Sequence, residues 1–197
     1  MQRRRVLREA WKGCLDGLGA CGLKAPLLAI IDGNPGRRRA VAEAWPRAAV
    51  QRCCVHKLRN MERKAPKHVL AEVREDFHEI VYAASAEAAQ TAWAKFERVW
   101  GKCCPGVVKN LQEGGTELLT FFSFPKAQWK TLHTTNVIER LNEESRRRGK
   151  TQGALPTEDS AVILLFGLVA TGQITLRKLD GYKHLAAVIR QRMRPAA

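Results

Sequence analysis

Apolar positions along this chain repeat with two different periods. Between Val6 and Cys21, the residues Leu7, Trp11, Cys14, Leu15, Leu18 and Cys21 recur every three or four positions, which predicts a helix with one apolar stripe. Leu27 to Ile31 is instead an unbroken apolar run that ends in Asp32-Gly33-Asn34-Pro35-Gly36. Such a run predicts a strand buried on both faces of an α/β sheet, and the residues after it are turn formers. Arg37 to Trp45 then predicts a helix. Ala49 to Val55 predicts a second strand, leading into His56-Lys57-Leu58-Arg59-Asn60.

From Lys57 to about Lys130 the pattern is helical. Pro66 opens a helix whose Val69, Leu70, Val73, Phe77, Ile80 and Val81 form a core-facing stripe. Ser85 caps another, with Ala89, Trp93, Phe96, Val99 and Trp100 on one side, and Gly114-Gly115 breaks the pattern before Leu118 to Phe122. Trp93 and Trp129 are candidates for stacking on bases, although aromatics at helical spacing are more often core. Thr157 caps an apolar helix, Val162 to Ala170, expected to pack against the core rather than touch DNA. Lys183 to Arg194 reads as a basic amphipathic tail.

Two carboxylates stand out against this pattern. Asp32 lies at the carboxyl end of a strand, where open α/β sheets place functional groups; Asp-Gly is also an ordinary turn dipeptide. Glu139 begins a helix that runs into Arg146-Arg147-Arg148 and Lys150. A carboxylate beside phosphate-binding charge suits metal-assisted chemistry on DNA, and Arg140, Arg146, Arg147, Arg148 and Lys150 are the candidate DNA contacts. Asn136 followed by Glu139 is equally a capping box, which requires no catalysis. Glu143 and Glu144 rival Glu139 for a cation, and Glu143 is spaced to pair with Arg147.

Charge narrows the partner. Lys and Arg number 34 against 19 Asp and Glu, a net charge of +15, which points to nucleic acid, with a membrane surface as the lesser alternative. No apolar run has the length of a membrane span, and none follows the arginines of the first nine residues as a signal peptide requires, so a cytoplasmic location is expected. The six cysteines suggest reduced, mostly buried thiols rather than disulfides. Cys53 and His56 offer two ligands where tetrahedral zinc needs four, so a structural role at the end of the second strand is expected for this pair.

The segments IDGNPG, QRCCVHKLRN, FPKAQWKTLHTTNVIERLN and RRRGKTQGALPTEDSA, in that order, resemble those of the bacterial Mutator-type insertion-sequence transposases. Those are DDE transposases with an RNase H-like core, and the similarity runs from about Trp11 to Thr171. The resemblance implies that Asp32 is the second catalytic carboxylate and Glu139 the third, both binding Mg²⁺ (or Mn²⁺), and that Cys53 and His56 are the family's Cys-x-x-His pair. It implies a helix-dominated α/β fold: a partial RNase H-like core over residues 1–56, with two parallel strands, an all-helical insertion over 57–133, the rest of the core over 134–180, and the basic helical tail over 181–197.

One element of the family pattern is absent. Its first catalytic aspartate lies on the first strand of the core, whereas the acids before Asp32 are only Glu9 and Asp16, and Asp16 falls in a predicted helix. The expectation is therefore a transposase truncated at its N-terminus, with an apolar strand exposed along its edge, doubtful stability on its own and little or no activity. The parent activity implied is metal-dependent DNA cleavage and strand transfer. A catalytically inactive fragment that binds DNA, or binds and inhibits an intact transposase, is the alternative, with self-association and an intact transposase as further possible partners and no role for a membrane.

Overall fold

The structure is a computed structural model that describes residues 2–150, 157–175, 178 and 180–193. The stretch 151–156 of the fourth motif and the tail's last residues, 194–197, lie outside the described residues. Helix α1 (Gln2–Ala20) covers the predicted span. Of its apolar stripe, Trp11 and Leu15 are half-buried while Cys14, Leu18 and the following Cys21 are exposed, so those two thiols are not buried, contrary to expectation. Asp16 is ion-paired with Lys12 on its surface, 2.5 Å apart.

Strands β1 (Leu28–Ile31) and β2 (Ala49–Arg52) pair in parallel, Leu28 opposite Ala49 and Ile31 opposite Arg52. Helix α2 (Pro35–Ala44) makes the crossover a parallel pair requires. Its start is set by Asn34, whose Oδ1 accepts from the amides of Gly36 (2.9 Å) and Arg37 (3.3 Å), with Pro35 at the first helical position. The second strand stops short of the expected Val55. The Cys53 amide still bonds the Ile31 carbonyl (2.7 Å), but the Cys54 amide turns to the His133 carbonyl (2.8 Å) and opens α3 (Cys54–Glu62). Burial on both faces of β1 is not found either: Ile31 is buried while Leu28, Ala29 and Ile30 are half-covered, because the sheet has only these two strands among the described residues.

Every described element between Lys57 and His133 is helical, and the core lies here rather than on the sheet. Helices α3, α4 (Leu70–Val81), α5 (Ala86–Cys103) and α6 (Pro105–Gln112) enclose Met61, Val73, Phe77, Ile80, Phe96, Trp100, Val107 and Leu111. Burial of each such side chain contributes roughly 1.5–3 kcal/mol. Ser85 caps α5 by accepting from the Ala88 amide (3.2 Å). Val99 does not join Ala89, Phe96 and Trp100; it is 46% exposed, since its position falls roughly a quarter-turn away from theirs. Beyond α6, α7 (Trp129–Leu132) packs Trp129 on Phe122, ring centroids 4.6 Å apart, and the indole donates to the Phe124 carbonyl (2.7 Å). Trp93 is half-buried and donates to Glu97 (3.0 Å). Both tryptophans are thus engaged in contacts within the chain.

The edge of β2 turned away from β1 is covered from within the chain. Thr120 Oγ1 donates to the Val50 carbonyl (2.8 Å), and fully buried Gln51 donates to the Leu118 carbonyl (3.0 Å) while accepting from the Phe121 amide (2.8 Å). The Val50 carbonyl is thereby satisfied on that edge of β2; these bonds do not reach the free edge of β1, the one expected to lie open.

Residues 135–179 form a second unit, separate from 1–134 and 180–197. It holds α8 (Asn136–Gly149) and α9 (Glu158–Ala170), with Thr157 capping α9 through the Ser160 amide (3.1 Å). Within this unit α9 is covered only in part: Leu168 is buried, while Ile163 (71% exposed) and Phe166 (73%), with Val162, Leu165 and Val169, lie open. A helix apolar on all sides cannot bury every side against a single neighbour. In the first unit, α10 (Leu185–Met193) buries Val188.

Candidate functional site

Asp32 follows β1 directly, so the strand fixes where its carboxylate leaves the sheet. Gly33 next to it has φ +95°, a backbone state that disfavours side chains, and a Cβ there would lie 2.3 Å from Nη2 of Arg52. The Arg52 side chain therefore lies against the turn. Asp32 Oδ1 accepts from the Asn34 amide (3.1 Å) and pairs with Arg37 Nη1 (2.9 Å). Arg37 in turn lies over the Trp11 ring, 4.1 Å from its centroid, which ties α1 to the turn.

Glu139 lies in the first turn of α8, where the helix dipole favours a carboxylate. The predicted capping box does not form. Thr135, not Asn136, is the N-cap, and its hydroxyl donates to Glu139 Oε1 (2.8 Å) instead of accepting from a backbone amide. At 100° per residue, Glu139, Glu143, Arg146 and Lys150 share one stripe, with Arg140 and Arg147 on its flank and Arg148 opposite. Arg140, Arg146, Arg147 and Lys150 are exposed. Arg148 points inward to the Gln173 carbonyl (2.8 Å) and to Glu144. Glu144 also holds Arg147 (3.0 Å), so the expected Glu143–Arg147 pair is replaced by Glu144–Arg147. Two guanidinium groups hold the Glu144 carboxyl below the usual carboxylate range, the hydrogen bond from Arg148 first.

Cys53 and His56 meet at the junction of β2 and α3, Nδ1 to Sγ at 3.3 Å, with Cys53 buried. His133, eighty residues on, supplies the carbonyl that receives the Cys54 amide, and its buried ring donates from Nδ1 to the Trp129 carbonyl (2.8 Å). Among the described residues, no three His, Cys, Asp or Glu side chains gather as a metal site. Asp32 and Glu139 are oxygen donors of the kind Mg²⁺ takes, but with Asp32 Oδ1 already in an ion pair these residues alone do not complete a site for two divalent cations.

The sequence profile of the family described as "Transposase, Mutator family" matches residues 4–175, most of the chain. The chain belongs to the Mutator family of transposases. It is 38% identical over 145 residues to the transposase for insertion sequence element IST2 of Acidithiobacillus ferrooxidans, a match covering 73% of this chain and 49% of that protein. It is 33% identical to the transposase for IS905 of Lactococcus lactis (77% of this chain, 38% of that protein) and 30% identical to the transposase for IS6120 of Mycolicibacterium smegmatis (94% and 57%). The chain thus spans about half or less of the length of the first two. No described helix is long and apolar enough to cross a membrane.

Within this Mutator-family chain, sequence reasoning missed Trp11, Arg37 and Arg52 around Asp32. Arg37 had a local signal, since it follows a capping Asn34 by three residues and so stands in the first turn beside the aspartate. Trp11 had none, because its approach to the turn is a tertiary contact. Lys57 was missed as well: it is buried and donates to the Asn110 carbonyl (2.5 Å).

Proposed function

We propose that this chain is part of an insertion-element transposase acting on DNA, and that Asp32 and Glu139 are the second and third carboxylates of its DDE centre. The observation that carries this reading is the chemistry of α8 within a Mutator-family chain: Glu139 stands at the head of a stripe on which Arg146 and Lys150 follow two and three turns later. A carboxylate in line with exposed cations suits one task, holding a phosphodiester backbone beside a group that binds a cation. Arg140 and Arg147 flank the track. Arg148 sets the geometry of α8 from the opposite face.

On this reading the two strands belong to an RNase H-like core that these 197 residues hold only in part. The centre uses Mg²⁺, with Mn²⁺ as substitute, and takes a further carboxylate from outside the described residues. The cation would stabilise charge on the phosphoryl oxygens in cleavage and strand transfer; Asp32 and Glu139 would hold it, while Arg146 and Lys150 would hold the strand. Two carboxylates acting as part of one unit do little without the third, so the isolated chain binds DNA without cutting it. The ion pair that Arg37 makes with Asp32 favours this inactive state as the second reading for the chain alone.

Binding to labelled duplex DNA over a range of salt tests the reading. Affinity should fall steeply between 50 and 200 mM salt, and Arg146→Ala with Lys150→Ala should flatten the log–log slope by about 2. Salt-independent binding, or an unchanged slope in the double variant, would contradict it.

A further inference from the structure

The turn that carries Asp32 is more positive than a cation site should be. Arg37 Nη1 stands 2.9 Å from Asp32 Oδ1, the Arg52 guanidinium lies against Gly33, and the positive end of α2 faces the same turn. The Arg37–Asp32 pair is also better anchored than a surface ion pair. The Arg37 amide donates to Asn34 Oδ1 (3.3 Å), its guanidinium is stacked on Trp11, and its Nε is buried with no hydrogen-bond partner. A loose side chain would turn a buried donor outward to water; this one is held against that tendency by the ring on one side and the carboxylate on the other. Both side chains are about two-thirds covered, 30% and 33% exposed.

We propose that Arg37, gripped by Trp11, is the positioning residue and resident counter-ion of Asp32, so that a divalent cation reaches this carboxylate only when the guanidinium leaves. The inference rests on the reading of Asp32 as a cation ligand and adds what occupies it in the resting chain. The Asn34 amide, bonded to the same Oδ1 at 3.1 Å, fixes the oxygen that Arg37 covers. Trp11 sets the firmness of the latch from α1, a helix to which the active-site reading assigns nothing. Arg37→Lys keeps the charge but gives up the flat stacking face and the fork.

The test is titration of the ¹⁵N-labelled full chain with Mn²⁺, following paramagnetic broadening of the Asn34 amide. In Arg37→Gln, half-broadening should need about ten-fold less Mn²⁺ than in the wild type, the size expected for removing a unit charge a few ångströms from a dication in a watery medium. Trp11→Leu and Arg37→Lys, which each loosen the grip while keeping the charge, should fall between the two, and Arg37→Gln with Asp32→Asn should lose the response. Equal midpoints in the wild type and Arg37→Gln, with the response still lost on Asp32→Asn, would overturn the latch and leave Asp32 as a ligand. A response indifferent to Asp32→Asn in every variant would overturn the latch and the ligand reading together.

Discussion

The side chain of Gln51 accepts a hydrogen bond from the Phe121 amide at 2.8 Å, seventy residues along the chain. Its Nε2 donates to the Leu118 carbonyl at 3.0 Å, so one buried amide side chain ties β2 to the 118–121 segment. Gln51→Leu matches the volume but orphans the Phe121 amide and leaves the Leu118 carbonyl only the weak Cys54 thiol donor, at about 1–3 kcal/mol for each bond lost. Urea unfolding should show a loss of roughly 2–4 kcal/mol. A variant as stable as the wild type would mean that β2 is not held by this clamp.

Lys57 gives the chain an alkaline signature. Burial first, and Arg52 second, push its ammonium down to about 8 from 10.5. The unfolded chain then binds more protons between about pH 8 and 10.5, so stability rises with pH through that window. Cys54 opposes this from about pH 9, because burial pushes its thiol well up and only the unfolded chain ionises there. The urea midpoint should climb from pH 8 to 9 and level off above, and Lys57→Met should not climb. A flat wild-type profile would contradict the buried ammonium.

His133 acts at the other end of the scale. Burial lowers its pKa below 6.5, against the opposing hydrogen bond to the Trp129 carbonyl. Its contribution is complete above pH 6.5 and lost as pH falls through the depressed folded value, because protons bind the unfolded ring first. Thermal melts from pH 7 to 5 should therefore fall more steeply for the wild type than for His133→Phe, which keeps the ring contacts with Tyr82 and Phe121. Parallel profiles would remove His133 as a source of acid sensitivity.

The helices were legible because an apolar stripe records which face is buried, and Val73, Phe77 and Ile80 or Ser85 above α5 needed nothing more. The parallel strand pair was legible from the unbroken Leu27–Ile31 run and the family resemblance. Where β2 ends was not. Cys53-Cys54-Val55 is apolar whether it extends a strand or opens a helix, and the choice falls to the distant His133 carbonyl. Glu143 and Glu144 both lie in reach of Arg147, and the anchoring of Arg148 on Gln173 draws the pair to Glu144. The α9 surface could not be foreseen, since composition shows that a helix is apolar but not whether a partner covers it. Asp32 at the end of β1 and Glu139 in the first turn of α8 were legible as positions in the fold, and the Trp11–Arg37 grip on Asp32 was not.

The central proposal is that Asp32 and Glu139, and not their neighbours, are the carboxylates that hold the cation. It is tested most directly in a full-length relative, such as the IST2 transposase, carrying alanine at the positions matching Asp32, Glu139, Glu143 and Glu144 one at a time. Strand cleavage of labelled element ends is measured with Mg²⁺. Loss of cleavage by at least ~10³-fold for the first two, with Glu143 and Glu144 within a few-fold of the wild type, is the predicted result. Equal loss at all four positions, or cleavage that survives at either of the first two, would contradict the assignment.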